Sequence, residues 1–181
     1  MKLKMQNTAI DGVKVLTPTS FTDIRGEFFE AYNKREFEVL GIPYDFVQDN
    51  FSVSHCGVIR GLHYQLEPYQ QDKLVSCTFG SIFDVAVDLR PNSKTFGDWF
   101  GIELSARNRK QLFIPKGFAH GLQALEAGSQ ACYKLTVHYA PDFERCINPL
   151  DPTLAITWPL DDDLILSPKD SNAPMFSELF D

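Results

Sequence analysis

No stretch of this chain approaches the ~18 consecutive apolar residues of a membrane-spanning helix, so a helical membrane protein is excluded. It also lacks any Cys-x-x-Cys pair. The four cysteines, Cys56, Cys77, Cys132 and Cys146, stand far apart, which argues against paired-thiol redox and zinc motifs. Cys56, Cys77 and Cys132 lie among β-type residues and are expected to be buried thiols. Positive charge is short: 17 Lys and Arg against 24 Asp and Glu give a net charge of -7. That deficit argues against a general nucleic-acid or membrane-surface binder, and an anionic ligand requires Arg and Lys to gather locally. Met1 to Ile10 is polar and lacks the apolar run of a signal peptide. With thiols expected to stay reduced, the cytoplasm is the expected compartment.

Helical pattern is scarce as well. Asn33 can cap a short helix over Lys34–Leu40, stopped by Gly41 and Pro43; it is the only convincing helix before the tail. What fills the chain instead is β-pattern. Fifteen Phe residues favour a β-rich core. Strands are predicted at Gly12–Leu16, Phe28–Tyr32, Phe46–Val53, Val58–Gln65, Lys73–Phe79, Ile82–Leu89, Trp99–Leu104, Gln111–Ile114, Phe118–Leu125 and Ala131–Tyr139, with Phe21–Glu27 as a turn. In Ile82–Leu89, the residues Phe83, Val85, Val87 and Leu89 share one face, and Asp84, Ala86 and Asp88 the other. Short strands separated by Gly and Pro turns suggest a sandwich, jelly roll or barrel. After Tyr139, Pro141, Pro149, Pro152, Pro159, Pro168 and Pro174 punctuate an irregular tail. The 181 residues suit one domain, 1–181, with a sizeable core.

Chemistry gathers in Gly57-Val58-Ile59-Arg60-Gly61-Leu62-His63-Tyr64-Gln65 and on to Lys73. Arg60 is a permanent cation, His63 a base that titrates near neutrality, Lys73 a compact point charge. Arg60 and His63 are three apart, so on a regular strand they face opposite sides. Both can serve one pocket only if the strand is twisted or bulged, and Gly61 permits that. From these residues alone an ordinary hairpin with a polar outer face weighs equally.

Two spacings extend the reading. Gly57-x5-His63 with Gln65, and Pro115-x-Gly117-x-x-His120, resemble the two cupin motifs, which place metal ligands on adjacent strands of a small barrel. A metal cupin carries a second His where Gln65 stands, and two His residues make an incomplete ligand set. The site is therefore read as holding no metal and no other cofactor.

The chain resembles the RmlC family, the dTDP-4-dehydrorhamnose 3,5-epimerases, which are cupin jelly rolls. The resemblance rests on Phe46-Val47-Gln48-Asp49-Asn50, Arg60-Gly61-Leu62-His63-Tyr64-Gln65, Lys73-Leu74-Val75 and Phe83-Asp84-Val85-Ala86-Val87-Asp88. It continues through Gln111–Pro115, Gly117–Gly121, Tyr133-Lys134, Tyr139-Ala140-Pro141 and Ser167-x-Lys169-Asp170. It implies an all-β jelly roll with a few short helices. It also implies an isomerase that inverts C3, C5 or both of a nucleotide-linked 4-keto-6-deoxy sugar. By resemblance His63 is the base, Tyr133 the acid, Lys73 the enolate stabiliser and Asp170 the partner of His63, with Asp84 a second candidate for that partnership. Arg25, Glu30, Gln48, Asp49, Asn50, Arg60, His120, Glu144 and Lys169 match positions contacting the nucleotide sugar, and Tyr139 matches the residue that stacks on the thymine. The family's segment holding Arg25 and Glu30 reaches over from a neighbouring subunit, which implies a homodimer.

Three departures stand out. His138 replaces a tyrosine, Asn148-Pro149-Leu150-Asp151 replaces Trp-Asn-Asp, and Leu122 replaces a phenylalanine after His120-Gly121. They leave the nucleotide base, the sugar and the number of inverted centres open. Inversion of one centre on another nucleotide sugar, a non-catalytic sugar-binding cupin, and a metal-dependent cupin isomerase or oxygenase are the competing readings.

Overall fold

A computed structural model describes residues 2–180. Thirteen strands follow one another: β1 Leu3–Asn7, β2 Lys14–Pro18, β3 Ser20–Asp23, β4 Gly26–Phe29, β5 Gln48–Ser54, β6 Ile59–Gln65, β7 Lys73–Phe79, β8 Ser81–Asp88, β9 Trp99–Ser105, β10 Gln111–Ile114, β11 Phe118–Ala124, β12 Ser129–Leu135 and β13 Glu144–Cys146. Helix α1 is Lys34–Val39, α2 Pro168–Ser171 and α3 Phe176–Phe180. The strands form a six-stranded sheet in the order β1-β2-β10-β7-β12-β5, a five-stranded sheet in the order β13-β6-β11-β8-β9, and a separate β3–β4 hairpin. This is the all-β jelly roll expected from the sequence. Among the described residues no helix is long and apolar enough to cross a membrane.

Period-two alternation sorts the side chains into three cores. Val15, Val75, Cys77, Ile82, Ala86, Leu112, Ile114, Leu122 and Ala131 come from both large sheets and pack between them. On the other side of the five-stranded sheet, Ile59, Val85, Val87 and Ala119 pack against tail residues Leu154, Trp158 and Phe176. On the other side of the six-stranded sheet, Leu16, Leu74 and Phe113 pack against Phe37 of α1 and Ile42. The central strands are thus covered on both faces, which is why all seven residues of β11 are buried. Each Leu, Ile or Val so covered contributes roughly 1.5–3 kcal/mol.

Several expectations change. Asn33 caps α1 by accepting from the Arg35 amide, but the helix closes at Val39, one residue short. The segment read as a turn, Phe21–Glu27, is most of the β3–β4 hairpin, and the predicted Phe28–Tyr32 strand stops at Phe29. The strand predicted over Gly12–Leu16 runs Lys14–Pro18 and carries Pro18 as its last residue, paired in register with Leu3. Strand β12 ends at Leu135, four residues before Tyr139, because Leu135 pairs with Lys73 and Gln48, the first residues of both neighbouring strands. Cys56 is exposed, contrary to expectation, because it sits in the turn after β5; Cys77 is buried and Cys132 and Cys146 are half-buried. The tail is ordered by polar caps: Asp151 accepts from the amides of Thr153, Leu154 and Phe176.

Candidate active site

The two large sheets enclose a cavity of about 410 Å3. From the five-stranded sheet it receives Arg60, His63, His120 and Leu122. From the six-stranded sheet come Ser52, Lys73 and Tyr133, and from the tail Ile165, Leu166, Ser167, Lys169 and Asp170. Arg60 and His63 share it because β6 is bulged at Gly61. Strand β11 pairs His120 with His63 and Leu122 with Arg60, so one residue of β11 spans two of β6. Gly61 lies at φ +125°, where side chains are rarely tolerated, and a Cβ there would sit 2.5 Å from the Gly121 Cα.

Asp170 reaches His63 from 107 residues away. Its Oδ1 lies 2.7 Å from His63 Nε2. Ser167 caps α2 by accepting from the Asp170 amide at 3.1 Å, which fixes the carboxylate at the helix start. Burial pushes the Asp170 carboxyl up, but the hydrogen bond and charge of His63, with hydrogen bonds from Ser167 and the Gly61 backbone, together hold the group below its ordinary value. The pair fixes the orientation of the imidazole.

Lys73, the first residue of β7, is buried, and its Nζ donates to the His63 carbonyl at 3.4 Å. Burial pushes its ammonium down to about 8, partly opposed by Asp84 and Glu144. Burial raises the Tyr133 hydroxyl, opposed by Arg60 and by a hydrogen bond with Asn50, its register partner on β5. His120 and Asp84 form a second buried pair at 2.8 Å. Asp84 is therefore joined to His120, and it is Asp170 that holds His63. Burial lowers the His120 pKa despite the carboxylate beside it.

A smaller recess of about 140 Å3 adjoins, sharing His63, Lys73 and Tyr133 and adding Asn50, Tyr139 and Glu144. Glu144 accepts from the Tyr139 hydroxyl at 2.9 Å and pairs with Lys169. Gln48 joins the rim, donating to Asn50 at 3.0 Å and accepting from the Tyr139 amide at 2.9 Å. Arg60 donates to Ser54 Oγ and the Val53 carbonyl. Among the described residues no carboxylate pairs with Arg60, which leaves its charge for an anion.

Three expected site residues stand apart. Asp49 alternates to the outer face and pairs with Lys134 at 2.8 Å. Arg25 lies on the exposed hairpin, bonded to Asp23. Glu30 accepts from Asn33 at 2.9 Å. Sequence reasoning missed Ser52, Leu122, Ile165, Leu166 and Ser167 as lining residues. Ser52 was within reach, since it shares a strand face with Asn50; its Oγ is buried without a partner.

The sequence model described as dTDP-4-dehydrorhamnose 3,5-epimerase matches residues 7–178. The chain belongs to the dTDP-4-dehydrorhamnose 3,5-epimerase family. It is an isomerase of that family, an epimerase. It is 51% identical over 173 residues to the dTDP-4-dehydrorhamnose 3,5-epimerase of Escherichia coli K12, covering 95% of this chain and 94% of that one. Its fold matches the crystal structure of the epimerase from Elizabethkingia anophelis at a TM-score of 0.95, with 44% identity and complete coverage of both chains (100% each). The Legionella pneumophila epimerase crystallised with dTDP-4-keto-L-rhamnose matches at a TM-score of 0.93 and 49% identity, over 99% of this chain and 95% of that one. In this chain His63, Lys73 and Tyr133 line one cavity.

Proposed function

We propose that this epimerase converts dTDP-4-dehydro-6-deoxy-D-glucose to dTDP-4-dehydro-L-rhamnose by inverting C3 and C5. The observation that carries the reading is the placement of a base and an acid on facing sheets of one cavity. His63, held by Asp170, removes the proton that the 4-ketone acidifies. Lys73, cationic below about pH 8, stabilises the enolate oxygen. Tyr133 returns a proton to the other face. Arg60 and Lys169 supply the local positive charge a diphosphate needs in an acidic chain, and Tyr139, half exposed at the rim, offers a ring for the thymine. No step here needs a metal ion.

A second copy of the chain completes the site in this reading. The β3–β4 hairpin exposes Phe21, Ile24 and Phe28 at 54%, 105% and 68%. Val47, just before β5, and Phe51 and Val53 on its outer face are exposed as well. Unpartnered apolar surface of this extent favours an interface. Arg25 and Glu30, remote from the cavity of their own chain, then serve the partner's cavity. We place this dimer, working as a single-domain unit per chain, in the cytoplasm.

The test is incubation with dTDP-4-dehydro-6-deoxy-D-glucose in D2O. The reading expects deuterium at both C3 and C5 and the L-rhamno product. Deuterium at one centre only moves the assignment to a single-centre epimerase, and none at either removes the epimerase assignment for this sugar.

A further inference from the structure

Strand β13 pairs with β6 so that Cys146 stands directly opposite His63. A ring nitrogen of His63, the Cys146 Sγ and a carboxylate oxygen of Asp170 all lie within 4.8 Å of one another. Cys146 Sγ is 4.0 Å from the same Asp170 Oδ1 that holds His63. The proposed chemistry uses the imidazole and the carboxylate and leaves the thiol without a task. We infer that these three side chains form a binding site for a borderline-soft divalent cation, Zn2+ or Co2+, and that the ion inhibits the enzyme by occupying its base.

The donor set argues for the class of ion. One sulfur, one nitrogen and one oxygen suit Zn2+ and Co2+, while Mg2+ and Ca2+ seek oxygens alone. With bonds of about 2.0–2.3 Å, donors of a tetrahedral zinc site sit roughly 3.3–3.8 Å apart. Cys146 Sγ and Asp170 Oδ1, 4.0 Å apart, need to close by roughly 0.5 Å, whereas His63 Nε2 and Asp170 Oδ1, now hydrogen-bonded at 2.7 Å, need to open by roughly 0.6 Å as the ion replaces the proton between them. Each is anchored on a different element: β6, β13 and the capped start of α2. His63 and Asp170 line the cavity, so a fourth position opens on the space where a sugar oxygen or water can sit. Burial pushes the Cys146 thiol up to about 11, opposed by the Lys169 charge and reinforced by Asp170 and Glu144, so the ion must displace a proton. Binding therefore weakens as pH falls.

The ion site stands independently of the reaction; only the inhibition rests on His63 being the base. Co2+ is the probe, because a cobalt–thiolate bond gives a charge-transfer band in the near ultraviolet. The parent protein is expected to bind one Co2+ per chain with that band. Cys146→Ala should lose the band and at least ~10-fold in affinity, whereas Cys56→Ala, which removes the exposed thiol, should keep both. Absence of the band, or a band that survives Cys146→Ala, overturns the site. In the same samples a Zn2+ concentration just sufficient to stop deuterium exchange in the parent should be reversed by a chelator, and Cys146→Ala should exchange at the parent's metal-free rate without Zn2+ and need at least ~10-fold more Zn2+ for the same inhibition. A full band with undiminished exchange leaves the ion site standing and overturns His63 as the base.

Discussion

His63 and Tyr133 face each other across one cavity from different sheets, His63 on β6 of the five-stranded sheet and Tyr133 on β12 of the six-stranded one. In the proposed reaction a planar enolate between them would have a proton acceptor on one face and a donor on the other. That relation is what inversion, as opposed to exchange with retention, demands of a protein.

The base is the first thing to remove. His63→Asn should cut exchange at both C3 and C5 by on the order of 10²–10⁴-fold while dTDP still binds nearly as tightly. Asp170→Asn should also slow exchange steeply, because a neutral amide neither fixes the tautomer nor stabilises the imidazolium. Exchange rates and dTDP titrations check both, and near-normal exchange in His63→Asn contradicts the assignment.

Lys73 sets the alkaline limit. Its ammonium is pushed from 10.5 down to about 8, so kcat/KM should fall as pH rises through about 8 and the enolate loses its cation. Tyr133, whose hydroxyl is raised, stays protonated through that limb. Stability moves the opposite way. Between about 8 and 10.5 the unfolded chain keeps the proton that the folded chain gives up, so stability from this group rises with pH there, and the burial penalty is fully felt below about 8. Lys73→Met should be slow and lack the limb. Its thermal advantage over the parent should shrink as pH rises through that window, and a constant gap in melting temperature contradicts the argument.

The sequence carried much of this site, and the bulge shows how. Three-residue spacing set Arg60 and His63 on opposite faces, and only Gly61 allowed both into one pocket; the register of β6 against β11 shows that bulge. Central strands were legible because both faces are covered and most of their residues are apolar. Strand β1 was not, since it is an edge strand with most of its side chains in solvent, and neither was the β3–β4 hairpin, which stands off the main core. Strand β13 is three residues among prolines, too short for any period. Helix α2 did leave a mark that went unread: Ser167 followed by Pro168 is an N-cap before a proline at the first helical position. The partnership of His63 with Asp170 lies 107 residues apart in sequence and came only from resemblance.

Gly61→Ala tests the bulge. The variant suffers both the strained φ of +125° and a Cβ 2.5 Å from the Gly121 Cα. Gly26→Ala shares a φ of +122° but meets nothing within 4 Å, so it isolates the strain. Strain alone should cost about 1–3 kcal/mol in each, and Gly61→Ala should melt several degrees lower than Gly26→Ala. It should also lose activity as Arg60 and His63 part. Equal melting temperatures mean that β11 yields freely.

Mixing two inactive chains tests the exchanged hairpin. If Arg25 serves the partner's cavity, a hybrid of Arg25→Ala with His63→Asn has one doubly damaged and one intact site. Random pairing should then recover about a quarter of native activity. No recovery from a mixture shown to contain hybrids places Arg25 outside the partner's site.

Tyr133→Phe measures the central claim most directly. Removing the acid leaves His63 able to take a proton and return a solvent-exchanged one to the same face. Deuterium should still enter the recovered substrate at C3 or C5, while inverted product falls much further. The quantity is the ratio of exchange to inversion in D2O, against the parent enzyme. A ratio that rises steeply is what facing acid and base predict. An unchanged ratio, with both rates scaled down together, would mean that Tyr133 only packs the wall and that another group delivers the proton.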